Sequence, residues 1–280
     1  YTLADKWILS RLAHTEKEVT DLLGRFELGE AGRLVYEFIW GEFCDWYIEL
    51  AKPRLYNKEN AEERATAQHV ICEVLSSSMK LLHPYMPFIT EEIWQCMPHE
   101  GDSIMVAAWP ESDEQLFNAE AEAAMNAIME AIKAIRNMRA EVNVAPGKKV
   151  PAILLVADEL QQVVADNQSY IKLMASVDEL SILQAGGDKP ENAMAAVTKG
   201  IEVYLPLKGL IDVEKETQRL NKELDGMTKE IGRIEGKLNN AGFLAKAPAE
   251  VVEKEKTKAQ EIAVKMQTIQ ERLTYLKNLE

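Results

Sequence analysis

Two stretches near the end of the chain repeat apolar residues with alternating spacings of four and three, and nothing else in the sequence restricts the backbone as tightly. The first is Val213, Thr217, Leu220, Leu224, Met227, Ile231, Ile234, Leu238 and Ala241; the second is Val252, Glu255, Ala259, Ile262, Met266, Ile269, Leu273 and Leu276. A 3.5-residue repeat keeps one narrow seam of a helix facing a partner helix, which is the pattern of a coiled coil. Residues 239–248, Asn-Asn-Ala-Gly-Phe-Leu-Ala-Lys-Ala-Pro, join the two helices. A link that short predicts closure within one chain, as an antiparallel hairpin. Each helix is about 30 residues, or roughly 45 Å at 1.5 Å per residue. Gly226, Gly232 and Gly236 interrupt the first helix, each at a cost of about 1 kcal/mol relative to Ala.

Upstream, residues 2 to about 143 read as four or five helices. Leu3, Trp7, Ile8, Leu12 and Val19 share one helical face, with a stop near Gly24. The next helix carries apolar residues from Leu34 to Leu50 around more than half its circumference, which predicts the most buried helix of the bundle, ending at Pro53. A third helix spans Ala61 to Leu82. Pro84 and Pro87 stop it, and Thr90 with Glu91 and Glu92 reads as the capped start of the fourth. Tyr85, Met86, Phe88 and Ile89 lie between, enough apolar surface to predict a buried corner. The last long helix runs from Glu114 to Ala140. Trp40, Trp46, Trp94 and Trp109 read as core.

After Ala145-Pro146-Gly147 the texture changes. Residues 150–156 read as a buried strand, 158–175 as helix, 179–184 as a second strand, and 193–197 with 201–205 as a hairpin around Lys199-Gly200. The expected architecture is therefore mainly α in three parts: a helical bundle (1–145), a small α+β connecting subdomain (146–209) and the coiled-coil hairpin (210–280).

The chain carries a net charge of −14, from 32 basic and 46 acidic residues. Residues 210–280 hold 13 of each, so the hairpin is neutral and the remainder carries the whole excess. An acidic body with a lysine-dense arm can bind RNA through local patches, not indiscriminately. Cys44, Cys72 and Cys96 lack metal-ligand spacing and read as reduced core thiols; the four histidines are scattered, and no metal site is expected. No apolar run approaches the roughly 20 residues of a membrane span. The chain opens on Tyr1, not Met, and reads as an excised piece of a longer protein.

Leu81-Leu-His-Pro-Tyr-Met-Pro-Phe-Ile-Thr-Glu-Glu-Ile-Trp94, taken with Leu3-Ala-Asp-Lys-Trp-Ile-Leu-Ser-Arg-Leu12, the run from Phe43 to Tyr56, Met105 to Glu111 and Ile135 to Lys149, resembles the helical anticodon-binding domain of class I aminoacyl-tRNA synthetases for branched aliphatic amino acids. The last seventy residues resemble the C-terminal coiled-coil arm of the bacterial valyl-tRNA synthetases. The resemblance implies a tRNA(Val)-binding portion of a monomeric, cytoplasmic ligase whose ATP-using catalytic domain and editing domain lie upstream. The adenylate-forming motifs His-Ile-Gly-His and Lys-Met-Ser-Lys-Ser are absent from these 280 residues. The stretch is thus expected to hold no catalytic residue and no cofactor. An isoleucyl- or leucyl-type relative and a non-enzymatic coiled-coil adaptor remain alternatives.

Three basic patches are candidates for contact with RNA phosphates. Lys133, Arg136, Arg139, Lys148 and Lys149 face only Glu141 within seventeen residues, the first three at helical spacing. Arg219, Lys222, Lys229, Arg233 and Lys237 lie off the seam of the first hairpin helix, and Lys246 with Phe243 and Leu244 marks the hairpin tip. Lys52 and Arg54 follow the aromatic helix, with Lys6, Arg11 and Arg33 nearby. Each patch reads equally well as a solvated face paired with neighbouring carboxylates.

Overall fold

A computed structural model describes residues 1–190, 192–206, 213–240 and 249–277. They fall into two compact units. One comprises residues 1–139, 146–189 and 195–205, and the other is dominated by residues from 206 onward.

The first unit opens with α1 (Leu3–Gly24), whose start is closed by a capping box. The Thr2 hydroxyl accepts from the Asp5 amide, and the Asp5 carboxylate accepts from the Thr2 amide. Helix α2 (Leu28–Glu37) continues without a break through a π-helical stretch, Phe38–Ile48, into α3 (Glu49–Tyr56). The π turns explain the broad apolar wrap of this segment. Phe38, Phe43 and Tyr47, spaced by five and four, are all buried, which a 3.6-residue repeat would not allow on one narrow face. Trp46 is buried beside them. Trp40, expected in the core, is 55% exposed instead. The expected stop at Pro53 is also corrected: the helix runs on to Tyr56, and the turn after Pro53 is held by Arg54, which reaches back to Asp5.

Helix α4 (Ala61–Leu82), capped by Asn60, matches its expected bounds. Helix α5 (Pro87–Gln95) begins earlier than the sequence suggested. Pro87 takes the first helical position, where its missing donor costs nothing. Thr90 is buried in the first turn, its hydroxyl donating to the Met86 carbonyl, so it is not the cap. The corner between α4 and α5 is not buried: Phe88 is 91% exposed, with Met86 and Ile89 also open. After a short 3-10 turn at Glu114–Leu116, α6 (Ala119–Glu141) lays a fully buried stripe, Met125, Ile128, Ile132 and Ile135, into the bundle. Smaller clusters fill the end of the bundle: Val19, Leu22, Ala31, Val35 and Leu81 in one, Met79, Trp94 and Ile104 in another. The cysteines are free, but Cys44 and Cys72 are half-buried and Cys96 is exposed, so they are not core thiols.

The α+β part of the same unit holds a four-stranded sheet of β1 (Val150–Val156), β2 (Val177–Gln184), β3 (Ala193–Thr198) and β4 (Ile201–Pro206), in the order β2-β1-β4-β3. Strand β1 runs parallel to β2 and antiparallel to β4. The parallel pair requires a crossover, supplied by α7 (Asp158–Asp166) and α8 (Gln168–Ala175), which Asn167 divides. Gly200 makes the β3–β4 turn at φ +84°, where a Cβ would stand 2.8 Å from Leu160.

The second unit contains α9 (Val213–Leu238) and α10 (Ala249–Lys277). Their pairing is antiparallel. Leu220 packs with Ile269 and Leu273 at one end, while Lys237 meets Glu255 at the other. Every described seam side chain, from Thr217 to Leu238 and from Val252 to Leu273, is buried or half-buried, and every described non-seam side chain in those spans is exposed. The linking residues 241–248, with the expected tip at Phe243, Leu244 and Lys246, lie outside the described residues.

Candidate nucleic-acid interface

The basic residues singled out in the sequence separate into two kinds once their partners are known. Arg54 is the clearest of the first kind. Its guanidinium donates twice to Asp5, at 2.8 and 2.6 Å, and the Tyr47 hydroxyl donates to the same carboxylate at 2.6 Å. Asp5 is fully buried. Burial alone would push its carboxyl up, but the hydrogen bonds from Arg54, Tyr47 and the Thr2 amide outweigh that and hold it below the ordinary carboxylate range. Asp5 was not singled out beforehand. The Thr2-x-x-Asp5 capping pattern is the signal that would have found it.

The stripe on α6 is also built into the fold. Lys133 and Arg136 lie 5.6 and 5.5 Å from the centre of the buried Trp46 ring, close enough for cation–π attraction. Arg136 donates to the Met174 carbonyl at 2.8 Å, and the buried Arg139 donates to the Ser176 carbonyl at 3.2 Å. Both carbonyls belong to the end of α8, where the dipole favours positive charge, and the Ser176 carbonyl also accepts from the Val150 amide at 3.1 Å. Two arginines at helical spacing thus fasten the bundle to the α+β part. In the same bundle Arg11 pairs with Glu42, Arg33 with Glu30 and Glu37, and Lys52 with Glu49.

The second kind points outward. Lys148 and Lys149, just before β1, are exposed. On α9 the exposed cations are Arg219, Lys222, Lys229, Arg233 and Lys237. Arg219 pairs with Glu223 along the helix at 3.0 Å, and Lys237 reaches Glu255 across the hairpin at 2.8 Å. A second cross-helix pair joins Glu230 to Lys258 at 2.7 Å. Glu255 occupies a seam position, and a charged residue there fixes which seam residues can face each other. The exposed side of α9 thus interleaves these cations with Glu223, Asp225, Glu230 and Glu235, on a helix too thin to bury them. Lys246 lies outside the described residues.

The family model described as the anticodon-binding domain of tRNA ligase matches residues 5–154, more than half the chain. The chain belongs to this family. A second model, the valyl tRNA synthetase tRNA binding arm, matches residues 212–277 and so covers α9 and α10. Among curated relatives, the chain is 49% identical over 276 residues to the valine--tRNA ligase of Carboxydothermus hydrogenoformans, 46% over 277 to that of Clostridium acetobutylicum and 47% over 277 to that of Geobacillus stearothermophilus. These matches cover 98–99% of the chain but 31% of each relative. The chain therefore spans about a third of the length of the relatives it matches. The anticodon-binding match takes in the bundle and β1, and the arm match begins where the neutral, lysine-dense segment begins. Among the described residues no helix is long and apolar enough to cross a membrane.

Proposed function

We propose that this chain is the tRNA-binding portion of a valine--tRNA ligase. The bundle (1–145) receives the anticodon stem-loop, the α+β subdomain (146–209) connects, and the hairpin (210–280) braces the outer corner of tRNA(Val). A catalytic domain elsewhere in the full-length chain then attaches valine with ATP, beside an editing domain. The protein works as a monomer in the cytoplasm. The observation that carries the reading is the tandem of an anticodon-binding match and an arm match on one chain, with the arm's cations held outward by its seam.

Phosphate contact falls to the outward cations Lys148, Lys149, Arg219, Lys222, Lys229, Arg233, Lys237 and Lys246, joined by Lys52 and Lys133 at the edge of the bundle. Arg54, Arg136 and Arg139 act indirectly, by holding α3, α6 and α8 in place. Such contacts supply affinity and register but no base discrimination, because phosphates carry no sequence. Binding should therefore weaken steeply with salt, with base choice left to the bundle. The test is a salt titration of the full-length protein against tRNA(Val) and tRNA(Ile). The proposal expects both to lose affinity with salt while tRNA(Val) stays tighter throughout; salt-insensitive binding, or equal affinity for the two, would refute it.

A further inference from the structure

The outer side of α9 carries a second line of residues with the period of the seam. Two positions beyond successive seam residues, about 200° round the helix, stand Arg219, Lys222, Gly226, Lys229, Arg233, Gly236 and Asn240, all exposed. The line holds four cations, two glycines and no carboxylate. The carboxylates of the described helix stand beside it. Glu223 accepts from Arg219 along the helix at 3.0 Å, Glu230 bridges to Lys258 of α10 at 2.7 Å, and Asp225 and Glu235 lie in flanking rows. The corresponding line of α10, Lys254, Thr257, Glu261, Val264 and Thr268, is mixed and has no excess of positive charge.

The glycines separate the two helices further. Helix α10 has none, whereas α9 keeps Gly226, Gly232 and Gly236 in its interior, where each weakens a helix relative to alanine. Nothing stands within 4 Å of a Cβ at any of the three, so packing inside the hairpin does not require them. A glycine on an outer face provides room instead, a bare stretch of main chain on which another backbone can rest. Gly226 lies four residues after Lys222 and three before Lys229, and Gly236 follows Arg233 by three. At 1.5 Å per residue, cations thus stand about 5–6 Å to either side of Gly226, within reach of neighbouring phosphates of a strand whose sugar lies on the gap. A helix carbonyl left uncovered there has a second lone pair that a ribose 2′-hydroxyl can use. We propose that the line from Arg219 to Gly236 is a track for one RNA strand: Lys222, Lys229 and Arg233 hold its phosphates, while Gly226 and Gly236 seat its sugar–phosphate backbone against the helix main chain. The track rests on the reading of the arm as RNA-binding and narrows it to one face of one helix.

Filling the gaps in the full-length protein tests it. Gly226→Gln and Gly236→Gln add an uncharged side chain and raise helix propensity, so a lost fold cannot imitate lost binding. Each should weaken binding of an unmodified tRNA(Val) transcript at least about fivefold, with the melting point of the helical circular dichroism signal unchanged or higher. Gly232→Gln, off the line in the row of Asp225, should bind within about twofold of the parent. Parent-like affinity in the two line variants overturns the proposal. So does an equal loss in Gly232→Gln, which would make the glycines a source of bending rather than a surface. Replacing Lys222, Lys229 and Arg233 together with Gln separates the track from the reading beneath it. If the salt dependence of binding then matches the parent's, the arm does not hold RNA and both fall; a reduced dependence beside unaffected glycine variants overturns the track alone.

Discussion

The body and the arm use charge in opposite ways. In the body, three arginines are tied to fixed acceptors of the fold: Arg54 to a buried carboxylate, and Arg136 and Arg139 to the carbonyls of a helix end. In the arm, two helices share one apolar seam, and every described side chain off that seam faces water. Basic side chains of a helix are thus bonded to main-chain or buried acceptors in one unit and lie at the surface in the other. The acceptor each side chain reaches, not the density of Lys and Arg in the sequence, separates the two.

Removing one partner from each unit should expose this difference. Arg54→Ala leaves Asp5 buried and unpaired and should cost about 3–5 kcal/mol. All five tryptophans lie in the body, so urea unfolding followed by tryptophan fluorescence reads that unit alone. A loss under about 1 kcal/mol would mean that the pair is solvated after all. The Asp5 carboxyl is held below its ordinary value, so its contribution is present above the unfolded pKa and is lost as pH falls through the folded one. In Arg54→Ala most of that acid-side loss should disappear.

Glu16 sharpens the contrast from the other side. Buried between α1 and α4, it is pushed up by burial to about 7, with Glu73 adding to the rise and Ser77 and Lys80 opposing it. A folded pKa above the unfolded one means that stability is complete below the unfolded value and declines as pH rises through about 7. Glu16→Gln should remove that decline, a gain of at most about 3 kcal/mol at pH 8. An unchanged pH profile of the tryptophan-monitored midpoint would show Glu16 to be solvated.

The arm should respond in smaller steps. No atom lies within 4 Å of the Cβ position at Gly232, so Gly232→Ala should stabilise α9 by about 1 kcal/mol, seen as a higher melting point in the helical circular dichroism signal with the tryptophan signal unmoved. Lys237→Ala breaks an exposed cross-helix pair and should cost no more than about 1 kcal/mol. A loss as large as that of Arg54→Ala would erase the distinction between the units.

The arm was legible in the sequence almost residue by residue, because a heptad repeat assigns every side chain to seam or solvent and the partner helix is the next segment of the same chain. The strands and their hairpin were legible for a similar reason, the Lys199-Gly200 turn placing β3 beside β4. The bundle was less so. Apolar spacing shows that a face exists but not what covers it, so Tyr85 to Ile89 read as buried although the fold leaves Phe88 open. A 3.6-residue template also misplaces Trp40, since the π turns from Phe38 to Ile48 rotate it away from Phe43 and Tyr47. Arg139 looked like an RNA contact because the carbonyl it serves, on Ser176, is 37 residues away and has no side-chain signature.

The central claim is that RNA is gripped by the outward cations of the arm, while the arginines of α6 hold the fold. The salt dependence of tRNA binding by the full-length protein tests it most directly. Replacing Lys222, Lys229 and Arg233 together with Gln should lower the slope of log affinity against log salt by about two to three, near 0.7–0.9 per lost phosphate contact, and leave tryptophan-monitored stability unchanged. Arg139→Gln should do the reverse, lowering stability with the slope intact. A triple variant with the parent's slope, beside an Arg139→Gln protein with a reduced slope and normal stability, would contradict the account.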